Sequence, residues 1–307
     1  MDKFILTALK PAIYQPLHDP LISEKGLEVI VKRLDLLHPD VQGNKFYKLH
    51  YNLEAAKKSG LSQVLTFGGA YSNHIHATAL AASANGLKAI GVIRGELVTP
   101  LNPTLEDARN QGMELYPMSR EEYRQKDSAT ILKSLKDKFG EFYLIPEGGT
   151  NALAIKGTQE ILEDKDLTMD FVTCPIGTGG TFAGLLASAR FKQKLIGFSS
   201  LKGDFIISEV DQLLRKYGTQ PNCAYEIQTA YHFGGYAKQK PTLISFIQEI
   251  KTKANLPLEP VYTGKMVFGL FDLIQKDYFP RGSKILVLHT GGLQGIRGYE
   301  QRLGIKF

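Results

Sequence analysis

Cysteine is scarce in this sequence, with only Cys174 and Cys223 among 307 residues. Two thiols cannot build a disulfide framework, and so few cysteines are typical of a reducing compartment. No apolar run approaches the roughly 18 residues that a membrane-spanning helix needs. The N-terminal stretch from Met1 to Leu9 has too short an apolar core for a signal peptide, and no cleavage site precedes Pro11. We therefore expect a cytoplasmic protein that makes no use of a membrane.

Long runs of like charge are also missing. The chain has 37 Lys and Arg residues against 31 Asp and Glu, a net charge of +6, and the lysines are scattered. Nucleic acid is therefore not the expected partner, because proteins that bind it concentrate their basic residues. A mildly cationic surface is compatible with anionic substrates or cofactors.

Several motifs that carry chemistry are absent as well. The sequence has no Gly-x-Ser-x-Gly elbow, which argues against a serine hydrolase. His74 and His76 are two residues apart, a spacing that separates them on a helix, and no cysteine accompanies them. We expect no metal site.

What the sequence does contain is an alternation of strand and helix patterns. Short apolar stretches typical of strands alternate with amphipathic stretches in two series, the first ending near residue 145 and the second beginning with a predicted helix over 151–163. Such alternation predicts an α/β fold in which each of two lobes is an open, mostly parallel sheet flanked by helices. Ligands of such folds bind at the carboxyl ends of the strands. Residues 1–25, which are rich in proline, are predicted to be loop.

The stretch Gly43–Leu49 follows a strand predicted over 27–33 and opens a helix. Gly43 supplies the turn before that helix and Asn44 the predicted cap. Four positions at helical spacing form one apolar face: Phe46, Leu49, Leu53 and Ala56. Lys45 falls in the first turn, where a cation opposes the helix dipole but a neutral amine can attack a carbonyl and form a Schiff base. A solvated surface lysine is the alternative.

A glycine-rich loop lies between a buried strand and a helix in the second series. It reads Gly177, Thr178, Gly179, Gly180 and Thr181. Glycines let backbone N–H groups surround a phosphate at a helix N-terminus. No Gly-Lys-Ser/Thr follows, and no acidic residue follows Phe198 to hold a ribose. A monophosphate therefore fits better than a dinucleotide, and a tight turn without a ligand is the alternative.

Three further loops follow predicted strands. Ser72 and Asn73 lie at the start of a helix, where they either face an anion or cap the helix. Glu147–Asn151 is another glycine turn, and Thr290 follows the last apolar strand, where its hydroxyl could bind a buried heteroatom. Tyr262 lies at another predicted helix start.

Taken together, these motifs resemble one family. The combination of Gly43-Asn44-Lys45-x-x-Lys48-Leu49, Ser72-Asn73-His74, the 177–181 loop, Val261-Tyr262-Thr263-Gly264-Lys265 and His289-Thr290-Gly291-Gly292 is similar to the D-cysteine desulfhydrase and 1-aminocyclopropane-1-carboxylate (ACC) deaminase family. Those enzymes use pyridoxal phosphate and have the tryptophan-synthase-β fold, fold type II. The motifs run in the family's order from about residue 10 to the C-terminus.

The resemblance implies a role for each motif. Lys45 would form the Schiff base with the cofactor and move the substrate's α-proton. The cofactor's other ligands would be Lys48 and the loop Gly177, Thr178, Gly179, Gly180 and Thr181 at the phosphate, Asn73 at the phenolic oxygen, and Thr290 at the pyridine nitrogen. Ser72 and Tyr262 would take part in catalysis, and the substrate would meet Ser72, Asn73, His74, Tyr236, Tyr262 and Thr263. A homodimer is implied, with an inserted small domain over residues 47–157 and a large domain made of 1–46 and 158–307.

The substrate depends on two positions in this comparison. Family ACC deaminases carry glutamate where this chain has Thr263 and leucine where it has Thr290, so the pair is desulfhydrase-like. A hydroxyl at the pyridine nitrogen leaves the ring neutral, which suffices to expel a thiol from cysteine but is less suited to opening a cyclopropane. The resemblance thus implies elimination on a small amino acid, D-cysteine first. ACC deamination, another β-elimination or replacement such as on D-serine, and a non-catalytic cofactor- or amino-acid-binding protein remain alternatives.

Overall fold

The computed structural model describes residues 10–39 and 41–307. The prediction made on the first nine residues lies outside that part of the chain. The strands are β1 Ile13–Pro16, β2 Glu28–Arg33, β3 Gln63–Gly68, β4 Lys88–Arg94, β5 Met113–Met118, β6 Tyr143–Ile145, β7 Phe171–Ile176, β8 Lys194–Ser199, β9 Ala224–Gln228 and β10 Lys284–His289. The α-helices are α1 Pro20–Glu24, α2 Asn44–Lys58, α3 Asn73–Ala84, α4 Pro103–Asn110, α5 Arg120–Arg124, α6 Ala129–Phe139, α7 Ala152–Gln159, α8 Gly180–Ser188, α9 Phe205–Lys216, α10 Pro241–Ala254, α11 Thr263–Gln275 and α12 Ile296–Leu303.

The strands form two sheets, as the alternation predicted. The larger has six strands in the order β1-β2-β10-β7-β8-β9, and the smaller has four in the order β5-β4-β3-β6. All neighbouring strands are parallel except β1, which is antiparallel to β2 at the sheet edge. The expectation of an α/β fold with mostly parallel sheets flanked by helices is confirmed.

Both faces of the larger sheet are buried. Along β10, Ile285 and Val287 contribute to one hydrophobic cluster, whereas Leu286 and Leu288 contribute to another. Alternate side chains of a strand point to opposite faces, so each face of this central strand is covered by helices. This explains why β10 is a continuous apolar run rather than an alternating one.

The segment 10–25 is more ordered than predicted. It contains β1 and α1, where loop was expected. Pro16 is tolerated because β1 is an edge strand that pairs on one side only. Asp19 caps α1 by accepting from the N–H of Leu21, with Pro20 at the first helical position. The Asp19-Pro20 pair is a sequence signal for a helix start, but the loop prediction considered only the proline content of this stretch.

Helix α2 begins differently from the prediction. The cap residue is Gly43, with φ +66°, and Asn44 is the first helical residue, whose amide donates to Thr181 Oγ1 at 2.8 Å instead of capping. A Cβ on Gly43 would lie 1.9 Å from the carbonyl oxygen of Thr290, so glycine lets this turn lie against the end of β10. The predicted apolar face is buried: Phe46, Leu49, Leu53 and Ala56.

Other differences concern short elements. Helix α7 ends at Gln159, before the predicted end at 163, and α5 and α12 were not predicted. Both missed helices are short and polar: α5 depends on a capping box between Ser119 and Glu122, and α12 contains Gly298. Among the described residues, no helix has both the length and the apolar character that crossing a membrane requires.

Candidate functional site

A cavity of about 310 Å³ lies where strands from both sheets end. Its walls come from the loops after β2, β3, β4, β6, β7, β8 and β10 and from two tyrosines. The lining residues are Asn44, Lys45, Lys48, Gly69, Ser72, Asn73, His74, Arg94, Glu147, Gly148, Pro175, Ile176, Gly177, Thr178, Gly179, Thr181, Phe182, Leu201, Tyr236, Tyr262, Thr290 and Gly291. The fold thus places ligand-binding loops at carboxyl strand ends, as parallel sheets do.

Lys45 faces this cavity from the first turn of α2. Burial lowers the pKa of its amine from 10.5 to about 8. Within the described part of the chain its Nζ has no acidic partner. The neutral amine, which a nucleophilic lysine requires, is therefore reached at a lower pH than for an ordinary lysine.

Lys48 lies one turn further along α2 and is 2% exposed. Its ammonium donates to the carbonyl of Gly148 and to Thr150 Oγ1, both at 2.9 Å, and to Thr178 Oγ1 at 3.3 Å. Burial, with a contribution from Lys45, holds its pKa well below the usual range. Because all three acceptors are neutral, an anion in the cavity would supply the compensating charge.

The glycine loop after β7 forms the N-terminus of α8. Gly179 is the cap residue in the left-handed region, φ +79°, and no side chain caps the helix. The N–H groups of the first turn are therefore open to a ligand. There is no room for side chains here: a Cβ on Gly177 would lie 2.9 Å from the Tyr262 ring, and one on Gly180 would lie 2.9 Å from Thr150. Gly180, at the first position of α8, does not itself line the cavity.

The loop after β3 has both of the features that the sequence left as alternatives. Ser72 caps α3, since its Oγ accepts from the N–H groups of His74 and Ile75, and it also lines the cavity. Asn73 is the first residue of α3, and its Oδ1 accepts from Gln294 Nε2. The side chains of Ser72 and Asn73 thus meet the cavity at the positive end of a helix.

His74 is a buried, neutral member of the site. Its Nε2 lies 2.8 Å from Thr66 Oγ1, and its Nδ1 has no hydrogen-bond partner among the described residues. Burial and the nearby charges of Lys45 and Lys48 hold its pKa well below the usual range. This side of the ring packs against Gly149, since a Cβ there would lie 3.4 Å from Nδ1.

Two tyrosines form the wall near Leu201. The rings of Tyr236 and Tyr262 are 6.0 Å apart between centroids, in an edge-on arrangement. Burial is the main cause that raises the pKa of the Tyr262 phenol well above its usual value, and Tyr236 adds to it. Tyr262 is therefore protonated at neutral pH and able to donate a hydrogen bond.

The two threonines that the sequence linked to the substrate have different positions. Thr290 lines the cavity at the end of β10. Thr263 does not line it: its fully buried hydroxyl lies 3.2 Å from Glu259 Oε1 and accepts from the Glu259 N–H at 3.1 Å. The expectation that Thr263 contacts the substrate is therefore corrected, because this side chain points to the base of α11.

Several residues of the site and its surroundings were missed from the sequence. Arg94 and Glu147 are the charged members, and Phe182 and Leu201 add apolar wall. Glu259, behind Tyr262, accepts from three backbone N–H groups at the start of α11, and burial is the main cause that raises its pKa. Arg94 could have been found, since it is the last residue of β4, and ligands bind where parallel strands end. Nothing local distinguished Glu259.

The cavity fits pyridoxal phosphate in both of the features that this cofactor demands. A half-buried lysine with a pKa of about 8 can bind its aldehyde. An uncompensated ammonium beside an open helix N-terminus suits its phosphate. Among the described residues no group of three or more His, Cys, Asp or Glu is placed to hold a metal ion.

Comparisons with known proteins give the same result. The family model for "Pyridoxal-phosphate dependent enzyme" matches residues 13–291. A Thermotoga maritima protein named "Putative 1-aminocyclopropane-1-carboxylate deaminase" is 33% identical, covering 96% of this chain and 98% of its own. An Arabidopsis thaliana protein named "Bifunctional D-cysteine desulfhydrase/1-aminocyclopropane-1-carboxylate deaminase, mitochondrial" is 31% identical over 88% of this chain and 74% of its own.

A solved structure described as an ACC deaminase homologue superposes with a TM-score of 0.82 at 30% identity, covering 99% of both chains. The coverage of both chains and the sequence identity indicate more than a shared fold. The chain therefore belongs to the pyridoxal-phosphate-dependent enzyme family, among relatives named for ACC deaminase and D-cysteine desulfhydrase activity.

Proposed function

We propose that this enzyme catalyses α,β-elimination on a small amino acid, with D-cysteine as the first candidate. In that reaction D-cysteine and water give pyruvate, hydrogen sulfide and ammonia. The observation that carries the proposal is the neutral hydroxyl of Thr290 at the end of β10, where the cavity meets the last strand.

The placement of acids supports this choice. Among the described lining residues Glu147 is the one carboxylate, and it pairs with Lys126 at 3.2 Å. Glu259, the buried acid near Tyr262, is occupied by the N–H groups of α11 and lies outside this cavity. A cofactor ring that meets a hydroxyl rather than a carboxylate stays neutral, which suits expulsion of a good leaving group such as a thiol.

The proposed binding roles are those that the family resemblance implies, and the shared cavity supports them. Lys45 would hold the cofactor covalently, and Lys48 and the open N-terminus of α8 would bind its phosphate. Asn73 would donate to its phenolic oxygen. Thr290 would meet its pyridine nitrogen. When bound, the cofactor supplies an electron sink for the pair left at the substrate's α-carbon.

The protein groups then orient the substrate and move protons. The Lys45 amine would take the α-proton, since its pKa of about 8 suits a general base. The Ser72 hydroxyl, whose oxygen caps α3, can donate its proton to the substrate carboxylate, and His74 lines the same cavity. Tyr236 and Tyr262 bound the opposite wall, where Tyr262 can donate a proton toward the departing sulfur.

A substrate panel tests the proposal. The cofactor-loaded protein is given D-cysteine, L-cysteine, D-serine and ACC separately, and pyruvate, sulfide and 2-oxobutyrate are measured. We expect equal amounts of pyruvate and sulfide from D-cysteine, lost in Lys45→Ala and kept in Lys58→Ala, an exposed lysine of the same helix. Neither product from D-cysteine would contradict the proposal.

ACC deaminase is the second candidate, because the name of the Thermotoga maritima relative points to it. In the same panel, 2-oxobutyrate from ACC without turnover of D-cysteine would favour it. A change in the cofactor spectrum with every substrate but no product would favour a binding protein.

We also propose the two domains that the resemblance implied, residues 47–157 and the remainder. All four strands of the smaller sheet fall between Gln63 and Ile145, which supports this division. The homodimer and the cytoplasmic location stay predictions.

A further inference from the structure

A second cavity, of about 360 Å³, adjoins the first and shares Asn44, Lys45, Asn73 and Thr290 with it. Gln294, which follows β10, lines this second cavity. Its side chain lies between two side chains from helices that flank the smaller sheet. Gln294 Nε2 donates to Asn73 Oδ1 at 2.5 Å, and Thr104 Oγ1 donates to Gln294 Oε1 at 3.0 Å.

In this hydrogen-bond network the Asn73 amide has its Oδ1 toward Gln294. Because Oδ1 is held by Gln294, the Nδ2 end remains to act as a donor. Nδ2 has room because residue 292 is glycine: a Cβ there would lie 2.5 Å from it. Among the described residues, no side-chain or backbone atom accepts a hydrogen bond from Asn73 Nδ2.

The hydrogen-bond network ends at Thr104, a buried side chain. Thr104 is 1% exposed, in the first turn of α4, and its hydroxyl has Gln294 as its side-chain partner. If the terminal amide of Gln294 were flipped, the amide of Asn73 would have to flip as well and would present its oxygen to the cavity. An ionised phenolic oxygen requires a donor, so only one direction of the whole chain satisfies every group.

We propose that Gln294 and Thr104 are positioning residues that turn the Asn73 amide so that Nδ2 donates to the cofactor's phenolic oxygen. The proposal rests on the role proposed for Asn73 above. Since Gln294 follows a strand of the larger sheet and its two partners flank the smaller one, the donor is presented only while the two sheets hold this arrangement.

The readout is the pH midpoint of the visible absorbance of the cofactor-loaded enzyme, recorded without substrate. A donor at the phenolic oxygen stabilises its anion, so loss of that donor raises the pH at which the chromophore gives up its proton. We expect Gln294→Met to raise the midpoint by about one unit and to weaken cofactor binding about tenfold.

Two further changes make the test specific. Gln294→Glu offers only acceptors, so Asn73 must reverse, and the midpoint should rise further. Thr104→Val removes the hydroxyl at nearly constant volume and should shift the midpoint in the same direction, whereas Thr104→Ser keeps a hydroxyl and should restore it. Thermal unfolding of each apo-protein identifies variants that fail to fold, and Gln294→Met, at a partly exposed position, keeps the test open if a Thr104 variant fails.

Asn73→Ala tests the place of Asn73 separately from the positioning role of Gln294 and Thr104. If it moves the midpoint while Gln294→Met and Thr104→Val leave it at the wild-type value, the positioning proposal is overturned and the place of Asn73 stands. If Asn73→Ala also has no effect, the proposed place of Asn73 fails and the positioning proposal with it. Neither result depends on which amino acid the enzyme consumes.

Discussion

Lys45 and Lys48 lie one turn apart on α2 and face the same cavity, and burial lowers the pKa of both amines. Neither has an acidic partner among the described residues, so the cavity by itself is electrostatically unfavourable for two ammonium groups. A ligand that carries an aldehyde and a phosphate removes both problems, since one amine becomes covalently bound and the other gains a counter-charge.

Replacement of Lys48 by Met should have opposite effects on the apo-protein and on cofactor binding. Removal of a buried, uncompensated charge should leave the free energy of unfolding of the apo-protein unchanged or raise it. Loss of a charge-assisted hydrogen bond to phosphate, about 1.5–3 kcal/mol, should weaken cofactor binding by tenfold or more. Urea unfolding and cofactor titration measure the two quantities, with Lys58→Met as the exposed control. Unchanged cofactor affinity would remove Lys48 from the phosphate site.

The rate at which the apo-protein captures pyridoxal phosphate should depend on pH through Lys45. Its pKa of about 8 means that the amine is protonated below this pH and reactive above it. The capture rate, followed by the growth of the visible band, should therefore rise through pH 8 and level off by pH 9. A rate that still rises toward pH 10.5 would mean that the reacting lysine has an unperturbed pKa.

The Gly43 turn should tolerate no side chain. Gly43→Ala places a Cβ 1.9 Å from the Thr290 carbonyl in addition to the cost of φ +66°. We expect a loss of about 3 kcal/mol or more in unfolding free energy. Gly60→Ala is the matched control, because Gly60 has φ +75° but nothing within 4 Å of the added atom. It should cost about 1 kcal/mol, and equal losses for the two variants would show that the contact with Thr290 is unimportant.

Asp35 should stabilise the fold above mildly acidic pH. It is buried beside the Arg33 guanidinium, 2.9 Å and 2.7 Å from two of its nitrogens, and His289 Nδ1 is 3.1 Å away. Although burial, the largest influence, acts to raise the pKa of Asp35, the hydrogen bonds and charges of His289 and Arg33 together lower it from 3.8 to about 2. Because the folded-state pKa is the lower one, this stabilisation is present above pH 4 and is lost as the pH falls toward 2.

The shift corresponds to about 2 kcal/mol. Asp35→Asn should therefore lower the free energy of unfolding at pH 7 by at least this amount, and the difference from the wild type should shrink at pH 3. Asp277→Asn, which removes an exposed ion pair with Lys25, should have little effect at either pH. A difference that does not depend on pH would contradict the role of the Asp35 charge.

The parts of the site that the sequence revealed are those whose chemistry is local. Lys45 at a helix start and the glycines of 177–181 stand out because a cation at a positive helix end and three glycines between a strand and a helix have few structural uses. The fold class followed from the alternation of patterns in the same way. Short polar helices such as α5 and α12 gave no such signal, because caps and tertiary contacts stabilise them.

The sequence did not show which way a side chain points at the start of a helix. Tyr262 and Thr263 are neighbours, yet Tyr262 is the non-helical cap residue before α11 and faces the cavity, while Thr263, the first helical residue, turns back to Glu259. Contacts between distant segments were equally invisible. Gln294 meets Asn73 across 221 residues, and no local pattern links them.

The central claim is that Lys45 carries the cofactor. Borohydride reduction of the loaded enzyme, followed by proteolysis and mass spectrometry, locates the attachment directly. Two buried lysines, Lys48 and Lys265, serve as internal controls, and Lys265 donates to the Gly235 carbonyl at 2.8 Å. We predict a pyridoxyl group on Lys45 and on neither of the others; its presence on Lys48 or Lys265, or its persistence in Lys45→Ala, would contradict the account.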